Sequence, residues 1–160
     1  MCPRILALAL AQVGAVDSII DTVGACLGLH LLGVDEVRCS FLPFGDGAVR
    51  GTAHGTLPVP APATLRLMMN VPTRPGPRVS GELVTPTGAA LVRALVLADA
   101  LGDATEPGEP DAPCGPGELT GRFGRPPTGF VPLRVGIGAG TKDFTDHPNI
   151  LRLVLGEVVV

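Results

Sequence analysis

One histidine, His54, stands in a glycine-flanked turn directly ahead of a proline-rich segment, where an imidazole held by stiff backbone could bind a ligand. The sequence over residues 45–63 reads GDGAVRGTAHGTLPVPAPA. Glycine lets a ligand approach the backbone closely, and each proline fixes φ and removes a hydrogen-bond donor. The segment after His54 therefore cannot continue as ordinary helix or central strand. The same composition also suits a surface loop that happens to contain a histidine, so both interpretations stay open.

Two carboxylates, Asp17 and Asp21, lie four residues apart in a helical pattern. The pattern predicts a helix over 14–32 with one buried apolar face, formed by Val16, Ile20, Val23, Leu27 and Leu31. Asp17 and Asp21 fall on one side of this helix, where like charges repel unless a cation or a basic group lies between them. The alternative is a solvated acidic helix edge, with Asp17 favoured by the dipole of the first turn.

A possible anion site comes from the turn Thr85-Pro86-Thr87-Gly88, which precedes an apolar helix predicted over 88–100. Exposed amides at a helix start can bind a phosphate or a carboxylate. Thr85 or Thr87 can equally serve as a simple cap of that helix. The glycine spacing matches neither a P-loop nor a dinucleotide fingerprint.

The predicted elements place these residues in a single α/β domain, with a mixed sheet flanked by helices. Strands are expected over 36–42, 49–53, 78–84, 130–137 and 150–158, and helices over 14–32, 63–70 and 88–100. Gly33 is expected to cap the first helix. Residues 102–129 are rich in Pro, Gly and acidic residues, which predicts a flexible, disordered insertion. His147 falls in a predicted turn and is expected to be exposed.

Composition excludes several classes of partner. The 12 basic and 15 acidic residues give a net charge of −3 and the basic ones are scattered, so no nucleic-acid partner is expected. No apolar stretch reaches the roughly 18 residues that span a bilayer, so no membrane partner is expected either. The four cysteines form no close pair, which argues against a zinc knuckle or a disulfide scaffold and favours a cytoplasmic protein with free thiols.

Four blocks of the chain carry a resemblance to a known family, the LarC family of nickel-insertion proteins. They are VGAVDSIIDTVGACLGLHLLGVDEV, FLPFGDGAVRGTAHGTLPVPAPATL, GELVTPTGAALVRAL and VGIGAGTKDF with the later PNILRLVLGE. The resemblance covers nearly the whole chain except the predicted insertion. Family members extend further at both ends, so this chain resembles the core region of a longer protein.

The resemblance implies a function. Members place nickel into a pyridinium bis-thiocarboxylic acid mononucleotide, in a reaction that uses CTP with a divalent cation, and so complete the nickel-pincer cofactor of lactate racemase. It implies the mononucleotide precursor as partner, a separate C-terminal LarC-like domain as a further one, and the racemase apoprotein indirectly. A nickel chelatase of the lyase class is therefore expected. The alternatives are a non-catalytic nickel or nucleotide carrier that needs the C-terminal domain, and an inactive fragment.

The resemblance also gives the candidate residues a chemistry. Nickel accepts imidazole, carboxylate and thiolate ligands. His54, Asp17 and Asp21 are the expected nickel ligands, with Cys39 as the runner-up, although a buried strand cysteine is the simpler interpretation of Cys39. The precursor and its phosphate are expected at two turns and one carboxylate, namely at Thr85, Thr87, Gly88, Gly138, Gly140, Thr141 and Asp143. No catalytic residue is predicted.

Overall fold

The secondary structure comes from a computed structural model that describes residues 16–52, 55–77, 81–97, 122–145 and 147–159. Two units divide the chain, Met1–Gly124 and Arg125–Val160, and are called here the first and the second unit. The helices and strands of the described ranges, in chain order, are α1 (Val16–Leu31), β1 (Leu42–Phe44), β2 (Ala48–Thr52), β3 (Gly55–Pro58), α2 (Pro62–Leu67), β4 (Thr73–Pro75), α3 (Pro86–Leu97), β5 (Phe130–Ala139) and β6 (Ile150–Val158).

The strands of the described residues form three two-stranded sheets. β1 and β4 run parallel, with Leu42 opposite Thr73. β2 and β3 are antiparallel, and so are β5 and β6. The predicted α/β class with mixed strand directions is confirmed. In the parts of the chain that the structure describes, the strands pair two by two and do not join into one larger sheet.

The predicted helices and most predicted strands are present, with shifts at their ends. The prediction of a strand over 36–42 is wrong for most of its length, because β1 begins only at Leu42 and Cys39 makes an isolated bridge to Phe123. Residues 81–84 of the expected strand over 78–84 contribute only a bridge between Gly81 and Asp46, and 78–80 lie outside the described residues. β3 and β4 were not predicted, since prolines end or interrupt their patterns.

Helix α1 ends as the sequence predicts, at Gly33. This glycine has a φ of +64°, a conformation that costs other residues energy. Its amide donates to the carbonyl of His30 at 3.1 Å, and the amide of Val34 donates to the carbonyl of Leu29 at 3.1 Å. The two bonds form a Schellman motif, which satisfies carbonyls that the end of a helix leaves without partners.

The large aliphatic stripe of α1 is exposed, so the prediction that this face is buried is wrong. Val16, Ile20 and Leu31 are 68%, 62% and 74% exposed. The buried residues of α1 are Ser18 and Thr22, two positions along from Val16 and Ile20 and therefore on the opposite side of the helix. Thr22 Oγ1 donates to the carbonyl of Ser18 at 2.7 Å, which removes the cost of burying this hydroxyl. Small side chains let this side of α1 pack closely, and the aliphatic side then points outward.

The core of the first unit is built around α3. Its buried members are Leu42, Met68, Val71, Ala89, Val96, Leu97 and Phe123. Phe123 lies within the predicted flexible insertion, residues 102–129. Backbone bonds hold it in place, because the amide of Cys39 donates to the carbonyl of Arg122 and the amide of Gly124 donates to the carbonyl of Cys39. Residues 122–124 of the predicted insertion therefore belong to the first unit and 125–129 to the second, while 102–121 lie outside the described residues.

A membrane-spanning segment was not expected from the sequence. None of the helices in the described ranges has the length and apolar character needed to cross a bilayer.

Candidate functional site

Two of the three predicted nickel ligands, Asp17 and Asp21, are exposed at the start of α1. Residues four apart on a helix have Cβ atoms about 5–6 Å from each other. Both carboxylates can therefore be reached from solvent by the same cation. The buried side of the helix carries Ser18 and Thr22 instead, so neither carboxylate is needed for packing.

The third predicted ligand, His54, lies outside the described residues. The paired residues Thr52 and Gly55 flank this position. Among the His, Cys, Asp and Glu side chains that the structure describes, no three lie close enough together to hold a metal ion. Because His54 is not among them, the site formed by His54, Asp17 and Asp21 stays a prediction.

In the GDG turn of residues 45–47, the backbone is tightly packed at Gly45. A Cβ atom on Gly45 would collide with the carbonyl oxygen of Gly81, so only glycine fits there. Asp46 forms an isolated bridge with Gly81, and the amide of Val59 donates to the carbonyl of Gly47 at 3.1 Å. The GDG turn, the proline segment after β3 and the GELV segment ahead of α3 are thereby held together in the first unit.

Thr85 caps α3. Its Oγ1 accepts a hydrogen bond from the amide of Gly88 at 3.1 Å, and its carbonyl accepts one from the amide of Ala89 at 2.9 Å. This is the capping alternative that the sequence left open, and it occupies the Gly88 amide. Thr87 keeps its position in the first turn of the helix. Phosphate binding at this turn stays a prediction. It would rely on the Thr87 amide, unless the Thr85 side chain rotates away and frees the Gly88 amide.

The second predicted phosphate site lies at the connection between β5 and β6. Gly138 is part of β5 and pairs with Leu151. The amide of Gly140 donates to the carbonyl of Asn149 at 3.0 Å, so this donor already serves the hairpin. Thr141 and Asp143 follow it and are exposed. They remain the predicted contacts to the precursor.

An aromatic stack that the sequence did not predict stands beside Asp143. The rings of Phe144 and His147 are stacked with centroids 4.3 Å apart and an interplanar angle of 20°. Lys142 Nζ lies 5.0 Å from the centroid of the Phe144 ring, which is a cation–π distance. His147 is thus half-buried, whereas the sequence suggested an exposed turn residue. The three-residue spacing of the two rings is the one signal that could have predicted the stack.

Cys39, the runner-up nickel ligand, is half-buried and packs against the core of the first unit. Burial raises the pKa of the Cys39 thiol. Since the thiolate is the form that binds metal, this environment favours the neutral thiol. The simpler interpretation of Cys39 as a buried structural cysteine therefore fits its surroundings better, although Cys39 lies in an isolated bridge and not in a strand.

Arg93 is a structural residue that no sequence pattern singles out. From α3, its Nη1 donates to the carbonyl of Met69 at 2.8 Å and to the carbonyl of Leu67 at 3.3 Å. These carbonyls belong to the end of α2 and the turn after it, where a positive charge is favoured by the helix dipole. Arg93 thereby joins α3 to the end of α2.

The described residues form two units. The first is an α/β unit with accessible carboxylates on its first helix, and the second is a β-hairpin. The profile of a family described as "Nickel insertion protein" matches residues 4–109, which is well over half of the chain. The chain belongs to this family, and the resemblance to LarC proteins is confirmed.

Relatives in three bacteria agree with this assignment. The chain is 49% identical over 146 residues to a protein of Geotalea daltonii, 43% over 147 residues to one of Myxococcus xanthus and 43% over 148 residues to one of Gloeothece citriformis. All three are provisionally named as nickel insertion proteins. Each alignment covers 91–92% of this chain and 30% of the relative, so the chain spans about a third of their length. No solved structure matches it.

Proposed function

We propose that this chain takes part in inserting nickel into a pyridinium bis-thiocarboxylic acid mononucleotide, the step that forms the nickel-pincer cofactor of lactate racemase. Membership of the nickel insertion family carries the general part of this proposal. The matched region, 4–109, contains His54, Asp17 and Asp21. A cytoplasmic location belongs to the same proposal.

In this proposal nickel is cargo that the protein holds loosely and then gives up. Asp17 and Asp21 are exposed, so their oxygens compete with water for the ion and bind it weakly. His54 adds a nitrogen ligand to the same ion. The two sulfurs of the precursor are softer and stronger nickel ligands, so transfer from the protein to the precursor runs downhill. No electron transfer is needed.

The precursor binds through its phosphate in this scheme. Thr87 at the start of α3 offers a backbone amide in the first turn, where the helix dipole favours an anion. In the second unit, taken by itself, the exposed turn with Thr141 and Asp143 is a separate proposed contact for the precursor. Thr85, Gly88 and Gly140 then act by shaping the two turns, since their hydrogen-bonding groups are engaged within the chain.

A second candidate function is a carrier module for nickel or the precursor. About 70% of each curated relative lies outside its match to this chain, so an activity of the whole relative can depend on residues beyond the matched region. The CTP reaction, with its divalent cation, would then belong to a separate C-terminal LarC-like domain. The racemase apoprotein would receive the finished cofactor from that complex.

A reconstitution experiment separates the two functions. The purified chain is mixed with Ni²⁺ and the mononucleotide precursor, with and without the C-terminal domain, CTP and Mg²⁺, and the nickel-pincer product is measured by mass spectrometry. Product formed by the chain alone supports the chelatase function. Product that requires the C-terminal domain supports the carrier. If the mixture with the C-terminal domain forms product equally well when this chain is left out, both functions are wrong.

A further inference from the structure

The connection between β5 and β6, residues 140–149, is held by contacts within the second unit, and the structure describes all of it except residue 146. The amide of Gly140 donates to the carbonyl of Asn149 at 3.0 Å, and Nδ2 of Asn149 donates to the carbonyl of Lys142 at 3.0 Å. A Cβ atom on Gly140 would collide with the Asn149 side chain, so the two ends of the connection meet closely. Loops that are packed by their own side chains in this way are frequently functional.

The ring of Phe144 is the centre of a small cluster in this connection. His147 stacks on it with centroids 4.3 Å apart, and Nζ of Lys142 lies 5.0 Å from its centroid. The faces of an aromatic ring attract a cation within about 6 Å of the centroid. In the second unit taken by itself, Phe144 is half-buried, so part of the ring can be reached by a ligand. This ring already accepts a cation of its own chain, and its surroundings therefore suit a cation from a ligand.

The carboxylate of Asp143 adds a negative charge next to this ring in the chain. Asp143 is exposed in the second unit taken by itself. A carboxylate attracts a cation and repels a phosphate. Asp143 and Phe144 together therefore favour the ring of a pyridinium mononucleotide, which is flat and positively charged, over its phosphate.

We propose that Phe144 binds the pyridinium ring of the precursor by stacking, with Asp143 as the counter-ion of that ring. The pyridinium ring takes the position over Phe144 that the Lys142 ammonium occupies, because it offers a flat surface as well as a positive charge. The displaced ammonium is then a donor for the acidic groups on the same ring. This inference rests on the proposed function, which supplies a pyridinium mononucleotide as the ligand.

The test uses nicotinamide mononucleotide as the probe. Its oxidised form carries a pyridinium ring, and its reduced form carries an uncharged dihydropyridine ring on the same ribose and phosphate. Each form is titrated into the full chain, and its dissociation constant is taken from the shifts of the His147 ring protons in NMR spectra. The oxidised form is expected to bind about threefold more tightly than the reduced form, or better, since a cation–π contact at an accessible site is worth that much.

Two variants test the two groups separately. Phe144→Leu keeps an apolar side chain and removes the aromatic ring, whereas Asp143→Asn removes only the negative charge. Each is expected to lose most of the preference for the oxidised form, measured as the ratio of the two dissociation constants. Phe41→Leu, at an exposed phenylalanine of the first unit, is the matched control and should keep the full preference.

Equal affinity of the unchanged chain for the two forms would overturn the proposal, and so would a full preference in Phe144→Leu. If Phe144→Leu lowers the melting temperature, Asp143→Asn at its exposed position decides, and a full preference in that variant overturns the proposal. The probe carries neither sulfur nor nickel, so the result is independent of the reconstitution experiment. Product there without a ring preference here would reject the ring site alone, whereas a ring preference without product would reject nickel insertion alone.

Discussion

Helix α3 and strand β6 are made of the same kinds of side chain and have opposite surroundings. Val96 and Leu97 on α3 are 2% and 1% exposed, whereas Leu151 and Leu153 on β6 are 66% and 61% exposed. Burying one such side chain is worth about 1.5–3 kcal/mol. The first unit already gains this energy within the chain, and the hairpin gains it only when something covers it. An apolar sequence pattern thus predicts where a helix or strand lies, but it does not predict which surface packs against it.

The largest expected effect on stability tests the buried element of this comparison, helix α3. Leu97→Ala removes a side chain from the middle of the first unit's core and leaves a cavity there. The free energy of unfolding should fall by about 2–5 kcal/mol, measured by urea denaturation. Leu153→Ala on the hairpin is the matched control and should change it by less than about 0.5 kcal/mol. Equal losses in the two variants would show that the hairpin is packed in the isolated chain, against the comparison.

A second effect tests how the first unit holds its helices together. Arg93→Leu keeps an apolar side chain but removes both hydrogen bonds to the end of α2. Bonds from a charged donor are worth about 1.5–3 kcal/mol, so a loss of about 1–3 kcal/mol is expected for this partly exposed group. The control is Arg134→Leu on the hairpin, which should be nearly neutral in the isolated chain. A neutral Arg93→Leu would mean that α2 does not depend on α3.

The smallest effect concerns the pH dependence of the first unit. Because burial raises the pKa of the Cys39 thiol, the unfolded chain loses this proton at a lower pH than the folded chain does. Stability should therefore fall as the pH rises above the ordinary thiol pKa. Cys39→Val should remove this part of the fall, as measured by urea denaturation at several alkaline pH values. Identical pH profiles for the two proteins would contradict the assigned environment.

The sequence predicted the elements better than their contacts. The helix start at Pro62, the cap at Gly33 and the long β5 and β6 all follow from local rules, which the sequence states directly. The burial of the α1 stripe was predicted from periodicity and is wrong, because the small residues Ser18 and Thr22 decide which side packs. Long-range packing of this kind depends on partners that periodicity does not name.

In the candidate site, too, the sequence predicted local features better than long-range contacts. Capping by Thr85 could be foreseen from its place before α3, although the choice between capping and anion binding needed the hydrogen bond to Gly88. The contact of Gly45 with Gly81 joins residues far apart in the sequence, so no local pattern predicts it, whereas the stack of Phe144 on His147 had only the three-residue spacing of the two rings as a signal. His54 lies outside the described residues, so its role rests on the family and on its glycine and proline neighbours.

Nickel binding by the purified chain tests the central claim most directly. Isothermal titration with Ni²⁺ should give one binding site. The variant His54→Ala and the double variant Asp17→Asn/Asp21→Asn should each bind Ni²⁺ about tenfold more weakly or worse, which is a loss of at least about 1.4 kcal/mol of binding free energy. His30→Ala, at the exposed far end of α1, should bind like the unchanged chain. If His54→Ala binds nickel with unchanged affinity, the assignment of that imidazole and the two carboxylates to one ion is wrong.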